Sequence, residues 1–188
     1  MSTGSLPRKP VSNGYPFRRA SIVFASCFET GAIATVVSRI NSTMTWEDIR
    51  VLRRKWPRTL MVKGILRADD AVKAVEAGAD AVVVSNHGAR NFDSAIASID
   101  ALPAIADAIG HRATILLDSG VRRGSDVAKA LALGAKAVLV GRPALYGIAT
   151  AGEAGACHAL GLLRAELDKV MAYAGCREVG AIDRDLLA

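Results

Sequence analysis

Four segments of this 188-residue chain carry residue types that bind anions or move protons. Gly141-Arg142 closes an apolar run, and there glycine lets backbone N–H groups approach an oxyanion while arginine adds a charged fork. Asp118-Ser119-Gly120-Val121-Arg122-Arg123-Gly124 offers a second glycine and arginine one unit earlier. Either segment alone reads as a tight turn beside a surface ion pair; at adjacent strand ends, the two together read as a phosphate site. Ser85-Asn86-His87-Gly88-Ala89-Arg90 pairs a histidine, suited to taking a proton near neutral pH, with an arginine able to grip a carboxylate in two-pronged fashion. A base beside a carboxylate clamp points to a small acid as substrate. Lys63 ends a further apolar run. His111 and His158 have no such company and read as structural, and nothing in the spacing suggests a metal site.

These groups need a frame that delivers them to one edge. Four short apolar runs, Leu60 to Lys63, Ala81 to Ser85, Thr114 to Asp118 and Ala137 to Gly141, read as strands buried on both faces. Between them Ala68 to Ala77, Ile99 to Ile109 and Ser125 to Leu133 have helical apolar spacing, with Gly78, Gly110 and Gly134 past their ends. Before the first strand, Thr45 and Asp48 have capping-box spacing. Trp46, Ile49 and Leu52 share a helical face there, and Pro57 stops the helix near Trp56. After the last strand, Leu160, Leu163, Leu167 and Val170 mark one side of a closing helix. Residues 71–84 align on 127–140 without gaps, with seven identities in fourteen positions, so two β-α units make one period. Lys63, Ser85 with His87, Asp118, and Gly141 with Arg142 all fall at C-terminal strand ends, the edge where parallel α/β folds bind ligands.

With 51% hydrophobic residues the chain can offset its folding entropy, which excludes intrinsic disorder. It is short for a full eight-stranded barrel of about 250 residues. Charge is uneven: residues 1–58 hold 10 basic and 3 acidic side chains, net +7, while the remainder is net −1. Arg50, Arg53, Arg54, Lys55 and Arg58 fall on the polar side of the first helix and read as a solvated face, with no nucleic-acid signature. Residues 1–44 read as an irregular basic and apolar arm. Its run Ile22 to Val37 contains Glu29 and is shorter than the roughly 20 residues of a spanning helix. Cys27, Cys157 and Cys176 are unpaired by spacing and suit reduced thiols in a cytoplasmic protein.

Val62-Lys63-Gly64, the Ser85 to Arg90 and Asp118 to Gly124 segments, and Gly141-Arg142-Pro143-Ala144-Leu145-Tyr146-Gly147 occur in an order that resembles the C-terminal half of the FMN-dependent 2-hydroxy acid dehydrogenases and oxidases. This family includes glycolate oxidase, L-lactate dehydrogenase and mandelate dehydrogenase. The resemblance runs from about Thr45 to the C-terminus. It implies the (β/α)4 half of a TIM barrel over residues 45–188, FMN as cofactor, and oxidation of a small L-2-hydroxy acid to the 2-oxo acid. It further implies that Lys63 lies against the flavin N1 and O2 edge, that His87 is the base and that Arg90 holds the substrate carboxylate. Ser85, Asp118, Ser119, Gly120, Val121, Arg122, Gly141 and Arg142 are implied to contact FMN, Asp118 at the ribityl chain and the arginines at the phosphate.

The chain departs from the family at Ala89, usually a second glycine, and at Asn91, usually glutamine; Asp93 is retained. Family members also have four upstream β-α units, which bear the aspartate that orients the histidine. Residues 1–44 are too few to supply them. The expectation is therefore a half barrel that pairs with itself or with a complementary half, with peripheral attachment to the inner face of a membrane as a weaker expectation. The rival reading is a noncatalytic phosphate- or flavin-binding half barrel.

Overall fold

The computed structural model describes residues 43–187, so the arm and its run Ile22 to Val37, together with Cys27, lie outside the described residues. Helix α1 (Trp46–Lys55) leads into β1 (Met61–Ile65), α2 (Ala68–Glu76), β2 (Ala81–Val84), α3 (Ser98–Ile109), β3 (Thr114–Leu117), α4 (Gly124–Ala132), β4 (Ala137–Val138) and α5 (Arg142–Tyr173). The four strands form one parallel sheet in the order β1-β2-β3-β4. Sequential parallel strands joined by helices are the repeating unit of the (β/α) barrel, and the described residues form part of one.

Register separates the two faces of the sheet. Val62, Val82 and Ile115 are mutual partners. With Ile65, Val84 and Leu117 they join Ile49, Leu102, Ile105 and Ile109 of the helices in the main core. The next row, Lys63, Val83 and Leu116, lies outside that core cluster. Val82 and Val84 are fully buried, and burying an aliphatic side chain of this size stabilises by about 1.5–3 kcal/mol. The strand at the sheet's described margin differs. The expected strand Ala137 to Gly141 shrinks to two residues, exposed Ala137 and half-buried Val138, paired with β3.

At the other end of the chain order, Thr45 donates from its N–H at 2.6 Å and from Oγ1 at 2.9 Å to Asp48 Oδ2, so the expected cap is formed. Those bonds hold the Asp48 carboxyl below its ordinary range. The face of α1 is narrower than expected: Trp46 and Ile49 are buried while Leu52 is exposed. Arg53 also departs from the solvated reading. Its guanidinium reaches Asp80 Oδ2 at 2.7 Å and the Gly78 carbonyl at 3.2 Å, and it also bonds the Trp56 carbonyl, fastening α1 to the α2–β2 turn.

Helix α5 is broken by Ala151 (φ −152°) and Gly152 (φ 55°, ψ −137°) into two arms. Their crossing brings Gly147 and Gly155 together so closely that a Cβ on either would collide with the other's carbonyl, which is why both are glycine. Of the expected apolar stripe, Leu163 is buried but Leu160 is exposed. Glu166 of the second arm accepts from Arg123 Nε at 2.8 Å and from the Gly124 N–H at 2.8 Å, satisfying a free amide at the start of α4. Met171 and Ile182 bury Ala132 in a smaller second cluster.

Candidate active site

The chemistry gathers at the C-terminal ends of β1, β2 and β3. Gly64 (φ 101°) interrupts the β1–β2 register between Lys63 and Ile65, a bulge of the kind that re-aims a neighbouring side chain. Lys63 Nζ lies 2.6 Å from Asp118 Oδ2 and donates to Ser85 Oγ at 2.8 Å. Ser85 has no exposed surface, and its Oγ also accepts the His87 N–H at 3.1 Å. Burial pushes the Asp118 carboxyl up, but hydrogen bonds from Lys63, Ser85 and Ser119 outweigh it, and the group stays below its ordinary range. Asp118 is therefore an anion held against a cation.

His87 is set beside this pair by an unusual turn. His87, Gly88 and Ala89 have φ of 57°, 68° and 62°, all in the left-handed region that favours glycine. Asn86 makes the turn possible by accepting the Gly88 N–H at 3.0 Å and the Ala89 N–H at 3.2 Å on its side-chain oxygen. Its own N–H donates to Ser98 Oγ at 3.0 Å, and Ser98 is buried at the start of α3. The departure at Ala89 thus has a cost: left-handed backbone at a residue with a Cβ is unfavourable by roughly 1–2 kcal/mol. Strain of this kind collects where a side chain must be held in one place.

The imidazole Nε2 of His87 is buried and has no hydrogen-bond partner among the described residues. Burial first, and then the Lys63 and Arg90 charges, push the His87 pKa below its ordinary value; Asp118 opposes them in part. A neutral imidazole with a free nitrogen is ready to take a proton. Arg90 is exposed, with Nε donating to the His87 carbonyl at 3.1 Å, so its guanidinium stands at the mouth of the turn.

The remaining predicted residues form a more open region. Gly120 (φ 80°) and Gly141 have nothing within 4 Å of where a Cβ would sit. Arg122 and Arg142 are exposed and make no carboxylate ion pair among the described residues, in contrast to Arg53, Arg67, Arg123 and Arg184. Arg142 reaches the Gly88 carbonyl at a long 3.5 Å. A cavity of about 310 Å³ opens beside Arg142, lined by Gly88, Ala89, Ser119, Gly120, Val121 and Asp126 among others, whereas Lys63, Ser85, His87, Arg90, Asp118, Arg122 and Gly141 do not line it. Two unpaired guanidinium groups beside unobstructed glycine backbone suit a phosphate, and a buried orphan nitrogen beside a lysine suits the reacting end of a flavin site, so the residues present fit FMN.

Asn86 and Ser98 were not singled out by sequence reasoning. The Asn-His-Gly order carries the signal of a side-chain-capped turn. Ser98 has no local signal, because its partner lies twelve residues away across the loop. His111 and His158 are exposed, and no group of three His, Cys, Asp or Glu among the described residues is arranged to hold a metal ion.

The frame and the site define a flavin-type α/β barrel segment, and comparison with known proteins agrees. The model of the FMN-dependent dehydrogenase family matches residues 16–188, and the chain belongs to that family. It is 50% identical over 159 residues to an L-lactate oxidase of Nostoc sp., covering 85% of this chain and 44% of the relative. It is 47% identical over 159 residues to human 2-hydroxyacid oxidase 1, covering 85% and 43%. The structure of the monotopic membrane protein (S)-mandelate dehydrogenase superposes with a TM-score of 0.78 at 45% identity, covering 81% of this chain and 41% of that one. The chain therefore spans less than half the length of each of these relatives. No described helix is long and apolar enough to cross a membrane.

Proposed function

We propose that this chain supplies the base and the FMN phosphate clamp of an enzyme that oxidises an L-2-hydroxy acid to the 2-oxo acid. The observation that carries the reading is the free, buried Nε2 of His87 beside the Lys63–Asp118 pair, with Arg90 at the mouth of the same turn. Arg122 and Arg142, with the backbone of Gly120 and Gly141, would hold the phosphate; Asp118 and Ser85 would stand near the ribityl chain, and Lys63 near the ring. When bound, FMN supplies a two-electron acceptor. Arg90 grips the substrate carboxylate and turns the hydroxyl-bearing carbon toward His87. His87 Nε2 takes one proton from the substrate, and the imidazolium so formed faces Asp118, whose negative charge favours it. Lactate, glycolate and mandelate share the required carboxylate and 2-hydroxyl, and relatives named for lactate, 2-hydroxy acids and mandelate support that class.

The test is flavin absorbance of the purified chain, followed by stopped-flow reduction with each acid. Reduction that is lost in His87→Ala while FMN stays bound supports the reading. Unchanged reduction in that variant refutes it. A peripheral membrane seat is the finer reading of location, supported by the monotopic relative and the basic front, and flotation with anionic vesicles checks it.

A further inference from the structure

One hydroxyl ties the turn that carries His87 to the loop after β3. Ser119 has φ 75°, a left-handed conformation uncommon for a residue with a side chain. Its Oγ donates to Asp118 Oδ1 at 2.8 Å and accepts the Gly88 N–H at 2.9 Å. Gly88 follows His87 directly, and Asp118 is the anion that neutralises Lys63 at 2.6 Å. The other bonds to the turn's amides come from Asn86 within it and from Ser85 just before it, with Ser98 behind Asn86, while its carbonyls accept from Arg90 at 3.1 Å and from Arg142 at a long 3.5 Å. Among the described residues, the Ser119 bond alone ties Gly88 to the β3 end, thirty-one residues away. A hydroxyl has one proton, and here it is engaged on Asp118, so Ser119 cannot donate to an anion at the rim without releasing that carboxylate.

We propose that Ser119 is a positioning residue for His87: its hydroxyl straps the His87–Ala89 turn to the Lys63–Asp118 pair and so sets where the imidazole stands. The strap explains why a serine occupies a left-handed position that glycine would take without strain, since glycine has no oxygen to join the two loops. It gives Ser119 work that needs no contact with the cofactor. The catalytic meaning of this role rests on the reading of His87 as the base.

The experiment compares the full chain with Ser119→Ala and Ser119→Gly, by NMR titration of the His87 imidazole and hydrogen exchange of the Gly88 amide. Three charged groups act on His87: Lys63 from β1, Asp118 from the end of β3 and Arg90 from its own turn. A released turn is better hydrated and farther from Lys63. Both variants should therefore titrate His87 closer to its ordinary value, by about half a pH unit or more, roughly threefold in proton affinity, with faster Gly88 exchange. Ser119→Gly removes backbone strain along with the hydroxyl, so it folds even where Ser119→Ala does not. Restored stability in Ser119→Gly with an unchanged His87 titration overturns the strap. Where FMN binds, the strap predicts a lower kcat in both variants. A wild-type chain that neither binds FMN nor oxidises a hydroxy acid refutes the functional reading, and the flavin-free titration still decides whether the strap exists.

Discussion

The ends of β2 and β4 are corresponding places in the internal repeat, yet they are built in opposite ways. Ser85 and Gly141 occupy equivalent positions fifty-six residues apart. At the first, the backbone turns sharply under side-chain control. Ser85 has no exposed surface, Ser98 is 2% exposed, and the His87 N–H, the Gly88 N–H and the Ala89 N–H all have side-chain acceptors. At the second, Gly141 and Arg142 are exposed, and the guanidinium touches a carbonyl only at 3.5 Å. The difference follows the tasks proposed for them. A base works when it is desolvated and fixed, whereas a clamp for a doubly charged phosphate works when its donors stay free until the ligand arrives. In the sheet β2 has a strand on each side, whereas β4 has one among the described residues.

The largest break in this contrast should come from Lys63→Met. It leaves the mostly buried Asp118 carboxylate without its cation, and breaking such a pair costs about 3 kcal/mol, read as a lower urea midpoint. An unchanged midpoint would show that the pair does not organise the first region. Next come Val82→Ala and Val138→Ala, equivalent positions on β2 and β4. Removing two methylene-sized groups from fully buried Val82 should cost roughly 2 kcal/mol, and from half-buried Val138 less than about 1 kcal/mol. Equal losses by thermal unfolding would mean the margin of the sheet is as well packed as its centre.

Acidification should sharpen the comparison. The fold depresses the His87 pKa, so the folded state resists protonation. Stability from this source is complete above the ordinary histidine value of about 6.5 and is lost as pH falls from there through the lower native value. Urea unfolding at pH 7 and pH 5 should therefore show a smaller acid loss in His87→Gln than in the wild type, and equal losses would contradict the burial of the imidazole. Arg142→Ala is expected to change stability by less than about 0.5 kcal/mol, as exposed substitutions do, while weakening FMN at least about tenfold in a fluorescence titration. The smallest effect is Ala89→Gly. Relief of its left-handed strain should raise stability by about 0.5 kcal/mol once the added unfolded-state entropy of glycine is subtracted.

Much of the frame was legible because it depends on local pattern. Apolar runs of four or five residues alternating with helically spaced segments can bury themselves in few ways, so each strand and helix falls within a few residues of its expected place. Polar residues at strand ends share one rim in any parallel α/β arrangement, which is why Lys63, Ser85, His87 and Asp118 could be grouped before their distances were known. Arg53, Leu52 and β4 were misjudged for a common reason. Their surroundings are set by the folded arrangement and not by local spacing: Asp80 reaches Arg53, solvent covers Leu52, and Ala137 to Gly141 lie at the margin of the described sheet.

The sequence by itself determined the order of the units, the residue types available at the rim and the family to which they belong, since these are carried by composition and spacing along one dimension. Tertiary structure alone decided which of the rim residues are engaged and which are free. It placed Ser98 and Ser119 on the histidine turn, bent residues 87–89 into a left-handed path, neutralised Lys63 with Asp118 and left Arg122 and Arg142 without a carboxylate partner among the described residues. Hydrogen bonds and ion pairs act over a few ångströms, and only the folded chain brings residues twelve to fifty-five positions apart within that reach.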